Sequence, residues 1–167
     1  MILGIIICIY NWRTNKNIIY LTLFLVIYPI SIVSSSLVVH GGSVFLLAIL
    51  LANVAPLYFL SGPLLYFFVR GIVTDSSRFR KTDLLHFIPF FVNLVAITPY
   101  ILTPFEYKLE IANSVMQDFY AYKNYDFKLF YPHYINNIGR SLLLTVYIIV
   151  SFILIIKSQK KIKQTIG

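Results

Sequence analysis

The sequence predicts an all-α fold, a multi-pass transmembrane helix bundle of about five helices with the N-terminus out and the C-terminus in. Three observations predict it. Of 167 residues, 59% are hydrophobic and 12% are charged, against roughly a quarter charged in a soluble domain. The apolar residues fall in long runs at 18–39, 43–69, 84–105 and 142–156. The basic residues behind the +8 net charge sit in short clusters beside alternate runs, which is how orientation is written in membrane proteins.

The first element is incomplete. "MILGIIICIYNWR" offers an apolar stretch over 2–10, about half of the roughly 20 residues that a span requires. It lacks a positive n-region and a small-residue cleavage pattern, so a removable signal peptide is not expected. Cys8 is the only cysteine, which excludes disulfides within the chain and cysteine-rich metal sites.

The runs 18–39 and 43–69 follow, joined by "HGGS" with no fixed charge, and then 84–105. The last run reaches span length only when residues before 142 join it, giving a helix over 136–156. Arg13 and Lys16 lie in the first connection. The third holds Arg70, Arg78, Arg80 and Lys81 against Asp75 and Asp83, and the tail 157–167 holds Lys157, Lys160, Lys161 and Lys163 without an acid. These three are therefore expected inside and the other two connections outside. Outer connection 106–135 is the long one. Leu109, Ala112, Val115, Met116 and Phe119 share one helical arc there, opposite Glu110, Asn113 and Gln117, so an amphipathic helix at the interface is expected.

Candidate residues divide by location. Pro56 and Pro63 each remove a backbone donor within run 43–69, and Gly62 belongs to a small-residue strip that admits a neighbouring helix. Asn53, one turn before Pro56, is placed to bond a partner helix or the loosened backbone. The group reads first as a kinked packing helix and second as a hinge. Arg70 complements a helix C-terminus and is expected to snorkel to the headgroups. His86 opens the next helix at the same face, either wetted at its tip or a proton-linked switch. The stretch "FYAYKNYDFKLFYPHY" over 119–134 is half Tyr and Phe. It fits an interfacial aromatic belt and also a ligand pocket, with Tyr122, Tyr125, Tyr131 and His133 as binding candidates. No metal spacing, nucleophile elbow or phosphate loop is present, so neither catalysis nor a cofactor or metal is expected.

"SGPLLYFFVRG" followed by "RFRKTDLLHFIPFFVNLVAITPY" resembles the membrane portion of bacterial AraC-type transcriptional regulators that carry an N-terminal multi-helix membrane domain. Gly62, Pro63, Leu64, Leu65, Tyr66, Val69 and Arg70 match the end of one family helix. Leu84, Leu85, His86, Phe87, Pro89 and Phe90 match the start of the next, with Phe68 where an aromatic is usual. The resemblance covers roughly residues 16 to 163 and implies seven helices followed by a cytoplasmic helix-turn-helix domain. By that measure the chain begins within the first helix and stops after the fifth. It implies a non-catalytic sensory region in the bacterial inner (cytoplasmic) membrane. The expected partners are the lipid bilayer, an extracytoplasmic ligand, a second copy in a homodimer, and DNA only through a C-terminal domain outside this chain. The rival expectations are the input domain of a multi-pass sensor histidine kinase and a small multi-pass membrane protein without an output domain.

Overall fold

The computed structural model describes residues 2–76, 78–118, 127–132 and 134–166, excluding the side chains of 163, 165 and 166. Among them every regular element is helical: α1 Ile2–Asn11, α2 Ile18–His40, α3 Val44–Leu50, α4 Ala55–Tyr58, α5 Ser61–Val73, a 3₁₀ helix Lys81–Phe87, α6 Ile88–Ile101, α7 Phe105–Gln117 and α8 Tyr134–Ile166. Four segments are long and apolar enough to cross a membrane: Ile18–His40, Ala55–Val73, Lys81–Ile101 and Tyr134–Ile162. By length and composition the chain is a membrane protein.

The helices run up and down between two ends. One, the Arg70 end, gathers the start of α2, the end of α5, the 3₁₀ helix and the far part of α8. The other, the Gly41 end, gathers the end of α2, α3, the end of α6 and the start of α8. α1 folds back on α2, where the Thr22 hydroxyl donates to the Gly4 carbonyl at 3.1 Å. α5 packs between α2 and α8, and α3 packs on α7. Leucines, valines and phenylalanines of α6 and α8 such as Phe91, Val95, Leu142 and Phe152 point outward and are exposed, the arrangement expected of a lipid-facing surface.

The expected single helix over 43–69 is interrupted. α3 stops at Leu50, and Leu51 to Val54 form a turn in which Ala52 takes the left-handed conformation at φ 58°. Pro56 explains the position of the break. Its ring has no N–H for the Ala52 carbonyl and would clash with that carbonyl in a continuous helix. Pro63 falls in the first turn of α5, and Pro89 in that of α6, where a missing N–H costs nothing.

Two further boundaries differ from expectation. The run 84–105 divides into the 3₁₀ helix, α6 and, from Phe105, the start of α7. The expected tail 157–167 continues α8 without interruption to Ile166, giving 33 residues. Lysine is a good helix former, and adding a residue to an existing helix is far easier than nucleating a new one.

Two apolar clusters anchor the bundle. At the Gly41 end, Leu47, Ala48 and Leu51 meet Tyr100 and, from α7, Ile111, Ala112 and Val115. α7 thus buries the face opposite Glu110, Asn113 and Gln117 against protein. Midway, Ile27, Tyr58 and Leu64 pack with Phe24 and Leu57.

Candidate functional site

The two halves of the motif, "GPLLYFFVR" and "LLHFIPF", meet in space at the Arg70 end. Arg70 is 8% exposed and does not snorkel. Its guanidinium donates to both carboxylate oxygens of Asp83, Nη1 to Oδ1 at 2.5 Å and Nη2 to Oδ2 at 2.7 Å. The physical reason is local. Asp83 caps the 3₁₀ helix by accepting from the Arg80 backbone N–H at 2.7 Å. That fixes the carboxylate against the end of α5 with 2% exposure, and a buried carboxylate holds a forked cation more firmly than water does. Arg70 also lies over the Phe67 ring, 5.1 Å from its centroid.

His86 turns inward beside this pair. Its Nδ1 lies 2.6 Å from the Tyr147 hydroxyl of α8, and its ring contacts Tyr66 and, edge-on, Phe67. Tyr147 reaches this place because Gly62 lacks a side chain; a Cβ on Gly62 would overlap the Tyr147 ring. Gly71 plays the same part for Asn17, whose amide occupies the space a Cβ would take. The junction therefore ties the start of α2, the end of α5, the 3₁₀ helix and α8 together.

A second polar assembly lies toward the Gly41 end. Asn93 of α6 and Asn136 of α8 are 1% and 3% exposed. Asn93 Nδ2 donates to the Tyr131 hydroxyl and to Asn136 Oδ1, and the Tyr131 hydroxyl donates to Asn136 Oδ1. Burial pushes the Tyr131 phenol above its ordinary value, partly offset by the Asn93 bond. Tyr131, a binding candidate, is thus held inside the bundle. Tyr122, Tyr125 and His133 lie outside the described residues.

Asn53 sits in the helix break and donates to the Ala48 and Ile49 carbonyls at 3.0 and 3.1 Å, satisfying the open end of α3. Its Oδ1 accepts from Lys108 Nζ at 3.0 Å, which also donates to the Ile101 carbonyl at 2.9 Å. Lys108 is 9% exposed, and burial holds its ammonium below the usual lysine value. α7 therefore plugs the break with a lysine.

The sequence reading missed Asp83, Asn93, Lys108, Asn136 and Tyr147. A signal existed for two of them. Asn93 and Asn136 interrupt apolar stretches, and a polar group at membrane depth requires a partner. Among the described residues no three of His, Cys, Asp and Glu gather as a metal site would require. No family model, curated protein or solved structure matches the chain.

Proposed function

We propose that this chain is the membrane-embedded signal-input region of a bacterial inner-membrane transcriptional regulator of the AraC type, non-catalytic itself, with DNA read by a helix-turn-helix domain outside it. The Arg70 end and the lysines of α8 then face the cytoplasm, as the distribution of Lys and Arg favours. One observation carries the reading. The two halves that carry the resemblance meet in space: the Tyr66 ring contacts His86, Arg70 pairs with Asp83 beside Leu84, and Tyr66 and His86 both contact Tyr147 of α8. A motif that only marked two lipid-facing helix ends would need no such contacts. Here it fastens α5 and the 3₁₀ helix to α8, the helix that leaves the bundle at that end and can pass a change onward.

Reading the coding sequence beyond Gly167 tests this. Two further apolar runs and a helix-turn-helix domain agree with it. A kinase core, or an unrelated gene, overturns it.

A further inference from the structure

α8 carries Arg140 six positions after its start at Tyr134, within a segment long and apolar enough to cross a membrane, where a guanidinium is costly unless something meets it. Among the described residues no carboxylate does. Its guanidinium lies over the face of the Tyr58 ring, 5.3 Å from guanidinium carbon to centroid. Two adjoining cavities open beside it, of about 180 and 540 Å³, sharing Ser35, Val39, Tyr58 and Arg140. Together they make a groove between α2, the start of α8 and the break Leu51–Val54. Irregular backbone at membrane depth is tolerated where it lines a cavity, and Leu51 and Ala52 line this one.

The serines of the groove donate to carbonyls of the chain, Ser35 to Ser31 and Ser141 to Asn137 among them, but the Asn136 amide nitrogen does not. Asn136 lines the smaller cavity. Its Oδ1 accepts from Asn93 and Tyr131, and its buried Nδ2 has no partner among the described residues. Two N–H donors without an acceptor are an expensive arrangement at 3% exposure. Among the described residues neither cavity is lined by Asp or Glu. The remaining walls, including Val38, Leu50 and Phe59, are apolar.

We propose that this groove binds an oxyanion carried on a small apolar body, with Arg140 and the Asn136 amide as its donors and the wall of α2 and the break around its body. A carboxylate matches the fork of Arg140, and the larger cavity lies within the range usual for small-molecule sites, roughly 300–1,000 Å³. The oxyanion belongs either to a soluble carboxylic acid or to the head of an anionic lipid. The assignment rests on geometry alone and holds whether or not the chain serves a transcriptional regulator.

The test uses the full chain in phosphatidylcholine nanodiscs, with hexanoate as probe and hexanol as its uncharged counterpart. Thermal unfolding is followed by circular dichroism. Hexanoate is expected to raise the unfolding temperature saturably while hexanol leaves it unmoved. Arg140→Gln should weaken the apparent hexanoate affinity at least about tenfold, the loss of one charge-assisted hydrogen bond; Arg140→Lys should keep part of it. Replacing some phosphatidylcholine by phosphatidylglycerol separates the sources. If that lipid raises the unfolding temperature and abolishes the hexanoate response, the natural oxyanion is a lipid head; if the response persists, it is a soluble acid. Equal responses to hexanoate and hexanol in the unaltered chain overturn the proposal, whatever the variants do. So does undiminished hexanoate affinity in a folded Arg140→Gln chain.

Discussion

Arg70 and Asp83 form a two-pronged ion pair, 2.5 and 2.7 Å, between the end of α5 and the start of the next segment. Side-chain exposures are 9% and 3%. Losing one partner leaves the other charge buried alone, which costs about 3–5 kcal/mol, whereas exchanging both for apolar residues is often neutral. Arg70→Met and Asp83→Leu should each destabilise the purified chain by roughly that amount, and the double variant should recover most of the loss. Reversible unfolding in mixed micelles measures it. Additive losses in the double variant would mean the two residues act separately.

Gly62 and Tyr147 make a second, steric prediction. Alanine is favoured over glycine in a helix by up to about 1 kcal/mol, but overpacking costs roughly 1–3 kcal/mol. Since a Cβ at Gly62 overlaps the Tyr147 ring, overpacking should win and Gly62→Ala should destabilise. Gly139→Ala is the control, because its Cβ would stand 3.5 Å from Phe59, an ordinary contact. That variant should be neutral or more stable. The reverse ranking of the two in one unfolding assay would refute the close approach of α5 and α8.

Lys108 predicts a pH dependence. Its folded value lies below the ordinary lysine value because it is buried. Between the two values the unfolded chain therefore holds more protons than the folded one, and the lysine's contribution to stability rises as pH rises through that alkaline window. The stability of the unaltered chain relative to Lys108→Met should climb there and level off above it. A flat difference across the window would mean that Lys108 is fully solvated.

Orientation is measurable with single cysteines in a Cys8→Ser background. Ser76, Glu110 and Gln159 are all exposed. In spheroplasts an impermeant thiol reagent should label Glu110→Cys at once, and Ser76→Cys and Gln159→Cys only after permeabilisation. The opposite pattern would invert the bundle.

Hydropathy made the spans legible, because a stretch such as 18–39 has one solution in lipid. It did not reveal the break at Leu51–Val54, where Ala52, Asn53 and Val54 carry no polarity strong enough to interrupt an apolar run. Pro56 pointed to the place, but a kink and a full break differ only in what satisfies the freed carbonyls, here Asn53. At the Arg70 end the sequence marked Arg70 and His86 without their partners. Asp83 stands among four basic residues, so charge counting treated it as one acid of a wet loop. Pairing at 13 residues' separation, and at 61 for His86 with Tyr147, depends on tertiary folding and leaves no periodic trace.

α8 has neither proline nor a second glycine after Gly139, so nothing in it invites a swivel or a bend. At about 1.5 Å per residue it measures about 50 Å, well beyond the roughly 30 Å of a hydrocarbon core. Arg140 and Ser158 lie 18 residues apart, five whole turns at about 3.6 residues each, and so point along the same azimuth. Any torque applied at Arg140 arrives at Ser158 as the same angle, and the lysines around it sweep with it. The side chain that lines the groove and the lysines at the far end of α8 thus share one straight shaft.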